Sequence, residues 1–348
     1  MIIRDENNTI LGYEGVHVYK LFNRYYVFLI HSDAHQWKRI QACFVAEHLE
    51  DEFQGGDIFN YDAGYLNQGI AQGGIIDTPC GDWYAMLFQD KGAIGRVPVL
   101  IHVTWKDAYP VFHTSKLDLP TMLSVSTKPY HQYKMLTASD DFRWGDTYTT
   151  DLRPKYVWQW NHEPNNHLWN IDAKKDCFMI QTDKICMNLW QAVNTLTQRM
   201  RYPACEAYVT VKANRLNEGD FAGISAFIGN YAMIAITKEQ GKYYVCMQGK
   251  QEENVSLRPE TNSNFTPIEY ERIPIKTEEL TLKIRVDFTN QKDQAEFFYE
   301  SNGYFRKLGV THSLDFKLDH FTGCRFGLFC YSTKQTGGQV EFKNFVYA

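Results

Sequence analysis

The sequence lacks several features that would place it at once. None of its apolar runs is long enough to cross a bilayer as a helix. The opening residues Met1-Ile2-Ile3-Arg4-Asp5-Glu6-Asn7-Asn8 do not follow the basic-then-apolar order of a secretory leader. Lys and Arg number 36 against 41 Asp and Glu, a formal net charge of −5, and no run of cations forms a patch. Without a basic surplus, neither nucleic acid nor an anionic membrane is expected as a partner. There is no CxxC pair among the eight cysteines, so a zinc site has no support. Dinucleotide and phosphate-loop fingerprints, HExxH and GxSxG are all missing. Helical periodicity is nearly absent too, and the one segment with room for a helical turn, Leu189–Met200, reads better as strand.

What the chain has in quantity is aromatic residues, 15% of its 348 positions, with 22 Tyr, 22 Phe and 8 Trp. Such richness suits pleated sheets and equally suits stacking on the apolar faces of sugars, and composition leaves both open. Several cysteines lie in apolar strand-like runs, as in Tyr243-Tyr244-Val245-Cys246, where a free thiol behaves as a small hydrophobe. A reducing, cytoplasmic setting is therefore favoured. Secretion stays open, because the expected missing start could have carried a leader.

Residues 1–115 read as short strands between Gly- and Asp-rich turns: Tyr25–Ile30, Ile40–Ala46, the run around Ile70–Asp77, Trp83–Phe88 and Val97–Trp105, with Glu47–Gly56 as a polar connection. Residues 116–139 carry Pro120 and Pro129 among many polar residues and read as a linker. Residues 140–348 resume the strand pattern at Glu206–Leu216, Phe221–Ile228, Tyr231–Thr237, Lys242–Gln248, Leu280–Phe288 and Gln294–Glu300. The Asn302-Gly303 hairpin signal follows, then Arg325–Ser332 and Gln339–Tyr347. The fold class is all-β, with a two-sheet sandwich in the second half.

One stretch stands out chemically. In Gly12-Tyr13-Glu14-Gly15-Val16-His17-Val18-Tyr19-Lys20 a carboxylate sits between a tyrosine and a glycine, directly ahead of an apolar strand. A Glu at the rim of a sheet, partly withdrawn from water, has a raised pKa and can donate a proton near neutral pH.

This stretch, together with Ile70-Ala71-Gln72-Gly73-Gly74-Ile75-Ile76-Asp77-Thr78-Pro79 and Gly92-Ala93-Ile94-Gly95-Arg96-Val97-Pro98-Val99-Leu100, resembles glycoside hydrolase family 43, the family of β-xylosidases and α-L-arabinofuranosidases. The distal half, with Trp158-Gln159-Trp160-Asn161-His162, Leu168-Trp169 and Asn194-Thr195-Leu196-Thr197-Gln198-Arg199, resembles the C-terminal β-sandwich of many members. The resemblance implies the distal blades of a five-bladed β-propeller followed by a concanavalin-like β-sandwich. It implies hydrolysis of xylosidic or arabinofuranosidic bonds of xylan or arabinoxylan with inversion, an acid protonating the leaving oxygen while an opposed carboxylate activates water. It assigns the general-acid role to Glu14 and a substrate-hydroxyl contact to Arg96. His17 falls close to the acid, where a supporting role and a place in a blade core are both open. Gln72 faces the funnel or serves a turn, and Tyr202 lines the pocket or is an ordinary strand-end aromatic.

The sequence departs from the family pattern twice. Ala71 stands where many members have a histidine of a central metal or water site, so no metal ligand and no cofactor are expected. The family's general base and a second Asp lie in motifs upstream of the acid, and only thirteen residues precede Glu14, with Asp5 in an unrelated setting. The chain is thus expected to be the distal part of a longer enzyme, with an oligosaccharide substrate. An upstream polypeptide completing the propeller, or a homo-oligomer, would cover its open edges. The alternative is a non-catalytic carbohydrate-binding protein or relic of a split gene, with Trp158, Trp160 and Trp169 as stacking platforms.

Overall fold

The computed structural model describes residues 3–5, 8, 10–114, 130, 132–143, 155–172, 174–250, 262–317 and 320–348. Much of the expected linker, at 116–129 and 131, lies outside the described residues. The chain divides into two compact units: Met1–Lys91 with Arg96–Gln132, and Gly92–Gly95 with Tyr133–Ala348. The short piece Gly92–Gly95 thus belongs to the second unit, although the strands on either side of it belong to the first. Among the described residues there are twenty-two strands and no α-helix.

The first unit holds two antiparallel four-stranded sheets in simple up-and-down order. One comprises β1 (Glu14–Leu21), β2 (Arg24–Ser32), β3 (Arg39–Ala46) and β4 (Gln54–Phe59). The other comprises β5 (Ala71–Asp77), β6 (Trp83–Asp90), β7 (Arg96–Lys106) and β8 (Tyr109–Phe112). Each has the form of a propeller blade, as the sequence led us to expect. Phe22-Asn23 and Asp107-Ala108 close two tight hairpins, with both residues of each turn left-handed. Tyr26, Phe28, Cys43 and Val45 of the first sheet share one core with Ile75, Ala85, Leu87, Ile101 and Val103 of the second. The alternate residues Val27, Leu29, Ala42 and Ala46 turn to the far face of the first sheet, where Phe53 and Tyr13 join them. The connection expected over Glu47–Gly56 is shorter than predicted, because β4 begins at Gln54 and pairs Val45.

The second unit is a sandwich of two seven-stranded antiparallel sheets. Its strands are β9 (Gln159–Trp160), β10 (Trp169–Asp172), β11 (Cys177–Gln181), β12 (Thr195–Arg199), β13 (Ala204–Arg215), β14 (Asp220–Phe227), β15 (Ala232–Glu239), β16 (Lys242–Gly249), β17 (Ile268–Ile275), β18 (Glu279–Asp287), β19 (Gln294–Ser301), β20 (Tyr304–Ser313), β21 (Arg325–Ser332) and β22 (Gln339–Tyr347). One sheet runs β10-β11-β22-β13-β18-β19-β20 and the other β17-β16-β15-β14-β21-β12-β9. In β13 every second residue is buried, so Cys205, Ala207, Val209 and Val211 face the core. β14 is buried on both faces, because Cys186, Leu189 and Ala192 cluster with its own Phe221 and Phe227 on its outer side. Those covering residues include a single 3-10 turn, Leu189–Gln191, where the sequence suggested strand. Asn188 caps the turn by accepting a hydrogen bond from the Trp190 N–H at 3.0 Å, and β12 starts only at Thr195. Trp158 is core: its indole N–H donates to Asp140 Oδ2 at 2.9 Å and its ring meets Phe345. Trp160 and Trp169 pack on each other, 5.1 Å between centroids, against the sandwich core at the edge strands β9 and β10.

Candidate active site

Glu14 is the first residue of β1 and pairs Ile30 of β2, while His17 pairs Phe28. Three steps on β1 therefore oppose two on β2, a bulge that re-aims the side chains at the strand's start. Gly15 makes it feasible. Its φ is +62°, and a Cβ there would lie 2.2 Å from Gln72 Nε2. Gln72 sits in a matching irregularity of β5, between the pairs Ala71–Phe88 and Gly74–Met86, and is itself left-handed at φ 60°. Its backbone N–H donates to Gln41 Oε1 at 2.7 Å, and Gln41 Nε2 donates to the Leu29 carbonyl at 3.1 Å. Gln72 Oε1 is buried and accepts no hydrogen bond from the protein. Further along the same two strands, the Ile75 N–H donates to the Tyr19 hydroxyl at 3.0 Å. His17 Nδ1 lies 3.3 Å from where a Cβ on Gly74 would stand. β1 and β5 are thus laced together along their length, and each bulge holds the other open.

Arg96 opens β7, directly across the hairpin from Asp90, the last residue of β6. Its Nε donates to Asp90 Oδ1 at 3.2 Å, and Arg39 Nε donates to the other oxygen, Oδ2, at 2.9 Å. Arg39 and Asp90 are each 3% exposed. The Phe88 ring lies beneath both guanidiniums, 4.4 Å from Arg96 and 5.2 Å from Arg39. Burial pulls the Arg96 pKa below its ordinary value and the like charge of Arg39 adds to this, while the carboxylates of Asp90 and Glu14 act the other way. Of these influences that of Glu14 is the smallest, so the acid and the guanidinium sense each other's charge only weakly. A planar, fork-shaped guanidinium anchored at its Nε is the kind of group suited to bidentate recognition of paired oxygens.

A second charged group lies beside the acid. His31 stands between two carboxylates, Nδ1 at 2.9 Å from Asp5 Oδ2 and Nε2 at 2.7 Å from Asp57 Oδ1, and the Tyr13 ring packs on it at 4.8 Å. The hydrogen bond to Asp57 raises the His31 pKa most, burial opposes it, and Asp5 adds a further rise. Burial, with the charges of Asp5 and Asp57, pushes the Tyr13 phenol up to about 12.

The structure brings Glu14, His17, Gln72 and Arg96 together in the first unit. It differs from expectation in two ways. Glu14 is exposed, not withdrawn from water, because β1 is the edge strand of its sheet and no neighbour among the described residues covers the carboxyl. His17 is exposed as well and so fills no blade core. Tyr202 belongs to the second unit, 43% exposed ahead of β13. Sequence reasoning missed Asp90 and Arg39. Asp90 had a signal, since it lies six positions before Arg96 across a glycine turn, but nothing local marks Arg39. Among the described residues no three His, Cys, Asp or Glu side chains converge as a metal site requires.

A family model, the β-xylosidase C-terminal concanavalin A-like domain, matches residues 147–348, more than half of the chain. The chain belongs to glycoside hydrolase family 43. A β-xylosidase of Formosa agariphila is 23% identical across 99% of this member and 61% of its own length. A bifunctional family 43 and carbohydrate-esterase protein of Bacteroides eggerthii has a solved structure that superposes with a TM-score of 0.82, at 33% identity, covering 97% of this chain and 41% of that one. An engineered family 43 enzyme described as having both endo-xylanase and exo-arabinofuranosidase activity gives a TM-score of 0.81 at 23% identity, covering 97% and 65%. The chain therefore spans between two fifths and two thirds of these relatives, all of which are longer.

Proposed function

We propose that this chain carries the acid side of a glycosidase site that cleaves xylosidic or arabinofuranosidic bonds of plant xylan or arabinoxylan with inversion. The observation that supports this best is the grouping of Glu14 with an Arg96 held rigid by Asp90. Protonated Glu14 gives its proton to the glycosidic oxygen as the bond from that oxygen to the anomeric carbon breaks, and the leaving sugar departs as a neutral alcohol. Water attacks the anomeric carbon from the opposite face and loses a proton to a second carboxylate, which inverts the configuration. Arg96 grips the sugar hydroxyls throughout. We assign the second carboxylate to propeller blades carried on further polypeptide, in keeping with the greater length of the relatives. Those blades would also shield Glu14 from water.

The acid role has a specific test. Nitrophenolate leaves without help from a proton, whereas a sugar alcohol does not. With the completing polypeptide present, Glu14→Gln is expected to lower kcat on xylobiose or an arabinosyl-xylooligosaccharide by roughly 10²–10⁴-fold. The same change should lower kcat on the matching nitrophenyl glycoside far less. Equal losses on both substrates, or no loss, would refute Glu14 as the acid.

A further inference from the structure

The second unit has a cleft of about 230 Å³ built entirely from its own residues. Phe221 of β14, Tyr331 of β21 and Thr237 of β15 are buried and form its base, with Phe221 the direct pairing partner of the other two. The Phe221 and Tyr331 rings stack with their centroids 5.4 Å apart and their planes 15° from parallel. Met187, 49% exposed, and Pro267 add apolar surface to the lining. One wall is polar and already ordered. Arg272 of β17 donates from Nη1 to Glu239 Oε2 at 2.6 Å, and from Nε and Nη2 to the two oxygens of Glu269 at 2.9 and 2.8 Å. Gln248 of β16 donates to Glu269 at 2.9 Å, and Lys334 donates to Glu239 at 3.2 Å. Lys334 and Arg272 lower the Glu239 pKa, so this carboxyl stays ionised at neutral pH. Lys238 is engaged elsewhere. It stands on the other face of β15 from Thr237, and its ammonium donates to the Leu216 carbonyl at 3.2 Å.

Within this wall the cations Arg272 and Lys334 face the carboxylates Glu239 and Glu269. A charged ligand could be held only by competing with an ion pair already made, and would leave one of its partners unpaired. Hydroxyls need no such exchange. A guanidinium has more N–H donors, and a carboxylate more lone-pair sites, than these bonds use, and a hydroxyl both donates and accepts. Because Arg272 is already fixed between two carboxylates, binding need not order it. Apolar surface beside such a wall suits a molecule with a carbon–hydrogen face and a rim of hydroxyls. The volume lies under the roughly 300–1,000 Å³ of sites for drug-sized ligands, which leaves room for a single ring.

We propose that this cleft binds one neutral sugar ring, its carbon–hydrogen face on Phe221, Met187 and Pro267 and its hydroxyls on Glu239, Arg272 and Gln248. It is a holding site, by which the sandwich keeps hold of one residue of a glycan. Xylose as that residue rests on the function proposed above; the neutral charge and the size of the ring do not.

The test titrates the whole chain with methyl β-xyloside, methyl β-glucoside and methyl β-glucuronide, read by ¹H–¹⁵N NMR at the backbone amides of Met187, Phe221, Thr237 and Gln248. The xyloside is expected to shift these amides saturably, and the glucuronide at equal concentration to leave them in place. Glu239→Gln removes a charged acceptor from a half-exposed position and should weaken binding by roughly 10–100-fold. Met187→Ala changes an exposed side chain, so the fold is not at stake, and should weaken binding by roughly three- to tenfold. Cleft amides that respond to neither neutral sugar, or more to the glucuronide than to the xyloside, would overturn the proposal. So would binding that both variants leave unchanged, or shifts confined to the amides around Glu14, which would report the other site. A cleft that takes the glucoside and not the xyloside would stand as a sugar site and count against xylan as the glycan, a reading that the Glu14→Gln comparison tests separately.

Discussion

Two small charged groups flank Glu14, and each has a shared centre. In one, Asp90 divides its two oxygens between Arg39 and Arg96; in the other, His31 divides its two nitrogens between Asp5 and Asp57. The second group makes the first unit sensitive to pH. Because the folded pKa of His31 lies above its ordinary 6.5, the stabilisation is complete below that value and fades as pH rises through the folded pKa. His31→Gln is therefore expected to lower the melting temperature of the first unit most near pH 6, by the equivalent of roughly 1–3 kcal/mol. The loss should shrink toward alkaline pH, and calorimetry at several pH values would show it. A deficit that grows with pH would contradict the ion-pair role. In the sequence, Glu14 and Arg96 were found through the motifs around them. Their partners were not, because Arg39 and His31 gain their meaning only when β2 and β3 lie side by side and carry them to carboxylates tens of residues away.

Among elements, the two bulges matter most. Those of β1 and β5 are interlocked through Gly15 and Gln72, so neither strand can straighten alone. Gly15→Ala must place a Cβ at positive φ and against the Gln72 amide. It is expected to cost about 1–3 kcal/mol and to turn Glu14 away from Arg96. Thermal melts combined with the oligosaccharide assay would check both effects, and an alanine variant of normal stability and activity would show that the bulge is not required. The strands legible in the sequence follow a physical pattern. Those named in the sandwich (β13, β14, β15, β16, β18, β19, β21 and β22) are inner strands of the two sheets. β17, β20, β9 and β10 are the four edges, and none was named as a strand; of the inner strands β11 was missed with them. An edge strand such as Ile268-Glu269-Tyr270-Glu271-Arg272 carries charges on exposed positions, which blunts pairing with other chains and also erases the apolar signal of a strand. β4 and β8, the outer strands of the two blades, were missed too, because β4 carries two glycines near its start and β8 is four residues long with a proline inside it.

At the scale of the molecule, the first unit shows apolar surface that its own residues do not cover. On the second blade, Ile76 is 62% exposed, Met86 50% and Val111 37%, on the face opposite the buried Ala85, Leu87, Ile101 and Val103. Val16 and Val18 add to this along the edge strand β1. Surfaces of this kind mark contacts with other protein. We expect the chain alone to self-associate as its concentration rises, and Ile76→Lys with Met86→Lys to return it to a monomer. Light scattering after size exclusion reads both outcomes. A wild-type chain that stays monomeric at high concentration would argue against any contact on this face.

By itself the sequence determined the all-β class, the order of blades before sandwich, the family, and the positions of Glu14 and Arg96, since all of these are written locally, in period-two alternation, turn residues and short motifs. The tertiary structure alone decided that Glu14 stands exposed on an edge strand and that Asp90, itself bonded by Arg39, holds Arg96. Each depends on which distant residues the sheets bring within about 3 Å of one another, a distance at which hydrogen bonds form. Pairing at that range leaves no mark on the residues next to it in the chain.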